Sequence, residues 1–91
     1  MYNYEINPSL RDILNKLSKK DNPVYERVLK KIDEITKSFD VEHYKNLKYD
    51  LKEFKRVQVG EKVLVFKFDK KINLIKFIDF DHHDNIYKKK F

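Results

Sequence analysis

The sequence predicts a two-layer α+β domain: a short N-terminal strand, an antiparallel helical hairpin, then a curved antiparallel three-strand meander. Three observations predict it. Apolar residues recur at helical spacing in two consecutive runs between Leu10 and Phe39. From Phe54 the period drops to two, and tight turns separate the runs. Finally, 91 residues, 41% of them apolar and 14% aromatic, fill one core and leave no room for a second, so residues 1–91 form a single domain.

Met1 to Ile6 alternates Tyr2, Tyr4 and Ile6 with Asn3 and Glu5, the pattern of a half-buried strand that Asn7-Pro8-Ser9 ends. Ser9 is the expected N-cap of a first helix, with Asp12 closing a weak capping box. Leu10, Ile13, Leu14 and Leu17 line one side of that helix as far as Ser18 or Lys20. After a link of four or five residues, Asn22 before Pro23 opens a second helix. Its apolar face is Val24, Tyr25, Val28, Leu29, Ile32, Ile35 and Phe39, and its other face mixes charges. Phe39 to Glu53 has no clean period; Tyr44, Leu47, Tyr49 and Leu51 are its anchors for an ordered loop or one short strand.

The meander begins with Phe54–Val59, which places Val57 and Val59 on one face and Arg56 and Gln58 on the other. Gly60-Glu61 is the first turn, and Lys62–Phe68 follows with Leu64, Phe66 and Phe68 inward. Asp69-Lys70-Lys71 is the second turn. Ile72–Phe80 is nearly continuous in apolar residues, which predicts the central strand.

Composition narrows the function. Without cysteine there is neither a disulfide framework nor a zinc–thiolate site. No apolar run reaches the length of a membrane span, and MYNYEINPS has no signal-peptide core, so a soluble cytoplasmic protein is expected. The net charge of +6 is uneven: residues 1–45 hold 9 Lys/Arg against 8 Asp/Glu, and residues 46–91 hold 12 against 7. A basic C-terminal half favours an anionic partner, unless it is only a solubilising lysine surface.

Asp79-Phe80-Asp81-His82-His83-Asp84 suggests a metal site, but strand neighbours point to opposite faces and no ligand spacing such as H-E-x-x-H is present, so neither metal nor cofactor is expected. With one glycine, phosphate loops and nucleophile elbows are excluded. Acid–base cleavage of a phosphodiester suits the residues better. It needs a base for the 2′-hydroxyl, cations for the phosphorane, and an acid for the leaving oxygen. His82 and His83 are candidate acid or base groups, one of which faces any concave side of the sheet. Arg56, the only arginine after Arg27, can bind phosphate in two-pronged fashion, and Tyr87 can stack on a base or donate a hydrogen bond. Strand-end capping by the histidines and edge packing by Tyr87 remain the alternative from chemistry alone.

The element order together with "VGEKVLVF" and "IDFDHHDNIY" resembles the RelE/ParE toxin superfamily, in layout over the whole chain and in motif over about twenty positions. The resemblance implies a RelE-like toxin: a ribosome-dependent endonuclease that cuts messenger RNA in the A site without metal and is silenced by a RelB-like antitoxin. It carries catalytic roles to Arg56, His82, His83 and Tyr87, and RNA contacts to Lys48, Lys52, Lys55, Lys62 and Gln58. Two departures stand out. The second-strand arginine of the motif is Val63 here, with Lys62 one residue off unless a bulge after Gly60 turns it round, and Asp81 replaces a glycine. A ParE-like toxin acting on DNA gyrase, or a catalytically degenerate homologue, is the alternative.

Overall fold

The computed structural model describes residues 2–91. Its order is β1 (Asn3–Ile6), α1 (Pro8–Lys20), α2 (Asn22–Thr36), two short 3-10 turns (Val41–His43 and Tyr49–Leu51), β2 (Lys55–Val59), β3 (Lys62–Asp69), β4 (Leu74–His82) and α3 (His83–Ile86). This is the expected α+β arrangement. The strands form one sheet in the order β1-β4-β3-β2, with the meander antiparallel and β1 parallel to β4, Asn3 opposite Leu74. The predicted central strand is indeed interior.

The two helices cover one face of the sheet. Leu10 and Leu14 of α1 and Val28, Ile32 and Ile35 of α2 are buried against Val59, Leu64, Phe66, Ile75, Phe77 and Phe80. A smaller cluster on the opposite face joins Leu47, Leu51, Phe54, Val63, Val65 and Ile86. A bulge in β4 separates the two sets. Phe66 pairs with Phe77 but Val65 pairs with Asp79, leaving Ile78 as the extra residue. Regular alternation would put Asp79 and Asp81 on the face of Ile75 and Phe77, beneath the helices. The bulge shifts the phase instead. Phe80 rejoins Phe77 in the core, and both carboxylates emerge on the open side.

Several boundaries differ from expectation. Asn7, not Ser9, precedes α1, without a side-chain cap. The hairpin link is a single residue, Asp21, whose carboxylate accepts from the Val24 N–H at 3.3 Å. The second helix stops at Thr36, because the Thr36 carbonyl accepts the Tyr2 N–H at 3.0 Å and so serves β1. Phe39 therefore falls outside the helix and is fully exposed. The last strand is Leu74–His82 rather than Ile72–Phe80: Asn73 adopts a left-handed φ of 52°, which extends the turn, and Ile72 is exposed. No bulge follows Gly60 to turn Lys62 round; the irregularity of the meander lies in β4.

Candidate functional site

The open face of the sheet carries a concavity of about 580 Å³ where β2, the 48–51 loop and α3 meet. Arg56 enters it from β2, opposite Val65. His83 and Tyr87 enter from α3, which buried Ile86 pins to the sheet. Lys48 and Tyr49 form the loop wall, and Asp84 and Lys88 complete the rim. Three permanent cations against one carboxylate, between aromatic walls, suit the hollow to an anionic ligand.

Tyr87 ties the walls together. Its hydroxyl oxygen accepts the backbone N–H of Lys48 at 2.7 Å, and its ring meets His83 edge-on with centroids 4.9 Å apart. The phenol hydrogen has no acceptor among the described residues, so it is available to a ligand. The loop is held at both ends. Leu47 and Leu51 are buried, the Leu47 N–H donates to Phe54 O at 2.8 Å, and Asn46 Nδ2 donates to Lys52 O at 2.6 Å. Between these anchors Tyr49 has a φ of 61° and is 79% exposed. A left-handed conformation costs a bulky L-residue about 1–2 kcal/mol.

Beside the concavity, Lys89 Nζ bridges Asp79 and Asp81 at 2.6 and 2.9 Å. Partial burial pushes the Asp81 carboxyl up. The Lys89 ammonium, the Asn85 amide and the His82 backbone N–H outweigh it and bring the group from its ordinary 3.8 down to about 2. Burial lowers the Lys89 ammonium, and its two carboxylate partners more than reverse this, so Lys89 stays protonated above its ordinary range. Phe91 packs its ring on Phe54 at 5.0 Å, so the chain beyond α3 lies back along the sheet.

Of the residues singled out in the sequence, Arg56, His83, Tyr87 and Lys48 come together here. The others do not. His82 pairs with Lys62, which pairs with Val59, so both lie on the helix-covered side. Lys62 rests over the Phe80 ring at 5.7 Å. Lys55 is only 9% exposed, and its ammonium donates to Glu42 O, Tyr44 O and Asn46 Oδ1 at 2.9–3.2 Å. It is a structural lysine, committed to fixing the 42–46 segment. Lys52 is exposed outside the hollow, and Gln58 donates to Gly60 O at 2.9 Å beside α2. Asp79, Asp81 and the histidines point apart, and among the described residues no group of three or more such ligands is placed to hold a metal. Tyr49 and Lys88 carry no sequence motif; only the folded loop and α3 bring them to the site.

No family model matches the chain. It is 53% identical over 91 residues to a Methanocaldococcus jannaschii protein named "Putative toxin RelE4", covering 99% of this chain and 95% of the other. The chain belongs to the RelE-like toxin superfamily. An uncharacterized Methanosarcina mazei protein is 39% identical over 88 residues, with 96% of this chain and all of the other covered. Among solved structures, the isolated Escherichia coli RelE toxin superposes with a TM-score of 0.71 at 16% identity, covering 97% of this chain and 93% of that one. A Staphylococcus aureus YoeB-YefM complex matches with the same TM-score, 0.71, at 17% identity over 91% of this chain and 98% of that one. These structures share the RelE-like fold. Of the two adjacent histidines, it is His83 and not His82 that lines the hollow with Tyr87. No helix among the described residues is long and apolar enough to cross a membrane.

Proposed function

We propose that this RelE-like toxin is a ribosome-dependent endonuclease that cleaves messenger RNA in the A site by metal-independent acid–base chemistry. The observation that carries the reading is the convergence of Arg56, His83 and Tyr87 with Lys48 and Lys88 in one hollow. Arg56 binds the scissile phosphate and offsets the charge of the phosphorane, with the two lysines drawing in the flanking phosphates. His83 moves a proton at the 2′-hydroxyl or the 5′-oxygen. Tyr87, its oxygen already occupied by the Lys48 N–H, donates its hydrogen to the substrate. The expected products are a 2′,3′-cyclic phosphate and a free 5′-hydroxyl.

The toxin acts in the cytoplasm, and its partner before release is an acidic, RelB-like antitoxin whose carboxylates occupy the hollow in place of phosphate. Complexes of toxin with antitoxin among the structural relatives support that partner, including RelBE2 of Mycobacterium tuberculosis, with a TM-score of 0.60 at 19% identity. Incubating purified toxin with ribosomes that display a defined A-site codon, and mapping the message ends, tests the reading. Cleavage within the codon is expected; an intact message at saturating toxin overturns it.

One observation favours a second reading. Val63 is 3% exposed and packs in the open-face cluster, so β3 contributes no cation to a bound phosphate. A non-nuclease toxin that binds DNA gyrase through the same basic hollow fits that substitution. Loss of supercoiling with messages intact selects it.

A further inference from the structure

Tyr49 has no role in the reaction as derived so far, yet the fold places it at a cost. Buried Leu47 and Leu51 flank it, and the backbone between them is bonded on both sides, so its exposure is imposed by a fixed loop. Its φ of 61° lies where aromatic side chains are rare. Backbone strain of this kind persists only where the surroundings enforce it, and it concentrates at functional sites. The ring stands at the mouth of the hollow, 6.0 Å from Tyr87 at an interplanar angle of 73°. Tyr87 therefore presents its ring crosswise to that of Tyr49 and leaves Tyr49's outer face uncovered.

We propose that Tyr49 is a substrate contact: its exposed ring is a stacking platform for one base of the RNA whose phosphate lies at Arg56. The inference rests on the endonuclease reading and names a specificity-determining residue within it. The chemistry around the ring supports a nucleotide. Lys48 precedes it in the chain, and Arg56 and Lys88 lie across the hollow, so a ligand must bring both negative charge and a flat apolar face. Nucleotides have both. Stacking on a single aromatic platform tolerates any base but favours the larger purine surface. Tyr49 thus adds a purine preference that Arg56, which binds only phosphate, does not supply.

Three variants separate stacking from structure. Tyr49→Phe keeps the ring, Tyr49→Leu keeps the strain without the ring, and Tyr49→Asn removes the ring with a residue that tolerates left-handed backbone. Single-turnover cleavage is measured on ribosomes carrying A-site codons that differ only in purine or pyrimidine, alongside thermal melting of each protein. Tyr49→Phe should cleave like the natural chain. The Leu and Asn variants should lose roughly 5- to 150-fold in cleavage efficiency, the span of one base stack, and narrow the purine-to-pyrimidine ratio. Tyr49→Asn should melt no lower than the natural protein, which a folding defect would not allow. Full activity with an unchanged ratio in the Asn and Leu variants, while Arg56→Ala is inactive, overturns the stacking role and leaves the endonuclease reading standing. Absence of cleavage by the natural chain overturns both.

Discussion

The two faces of the sheet solve opposite problems. On the helix-covered face, Leu64, Phe66, Ile75, Phe77 and Phe80 are matched by leucines, isoleucines and Val28 from α1 and α2. On the open face the apolar cluster is about half as large, and charge surrounds it: Arg56 at one side and the Asp79–Lys89–Asp81 bridge at the other. The first face carries the stability of the domain. The second is stable enough to hold a shape while leaving cations, tyrosines and a histidine exposed to solvent. The larger core and the candidate site thus lie on opposite sides of one layer of strands.

Substitutions on each face test that separation, beginning with the largest effect. Phe77→Ala, in the fully packed core, should cost about 3–5 kcal/mol, enough to leave much of the protein unfolded, as read by the urea midpoint. Arg56→Ala should leave that midpoint within about 0.5 kcal/mol of the natural protein, while its cleavage rate falls about 10²–10³-fold. A fall in both, or in neither, breaks the contrast between the faces. Lys55→Met should behave as a stability variant despite its basic charge. Removing the ammonium strands three acceptors and should cost about 1–3 kcal/mol, with cleavage per folded molecule little changed.

The Lys89 bridge gives a smaller, pH-dependent effect. The Asp81 carboxyl is held at about 2 in the fold against an ordinary 3.8, so its contribution is full above the ordinary value and is lost as pH falls toward 2. Lys89→Ala should cost about 1–2 kcal/mol near neutrality, since Asp79 is nearly buried whereas Lys89 is partly solvated. The same variant should flatten the acid limb of stability measured between those two values. A variant whose acid limb stays as steep as that of the natural chain would place the origin of the slope elsewhere.

The parts legible in the sequence are those governed by periodicity. Leu10, Leu14, Val28 and Ile32 recur at helical spacing and all are buried; Val57, Val59, Leu64 and Phe66 alternate and share a face. What was hidden depends on events that break a period. The β4 bulge reverses the faces of Asp79 and Phe80, and the start of α3 turns His83 into the hollow while His82 stays on the helix side. Lysine identity was equally silent. Lys48, Lys55 and Lys62 look alike in a basic stretch, yet one lines the hollow, one is buried, and one covers a phenylalanine on the far face. Tyr49 is grouped in the sequence with Tyr44, Leu47 and Leu51 as a loop anchor, but only its neighbours Leu47 and Leu51 are buried, and the left-handed backbone at Tyr49 holds its ring outward.

The parallel pairing of β1 with β4 has a consequence in time. Asn3 must find Leu74 and the Asn7 N–H must find Phe77 O at 2.9 Å, so β1 cannot pair until β4 has been made. Such long-range pairings are slow to form compared with the local α1–α2 hairpin. The helices can assemble early, on a chain still being synthesised. The hollow cannot, because His83, Tyr87 and Lys88 follow β4 in the chain. The candidate site therefore comes together only after β4 and α3 have joined the helices.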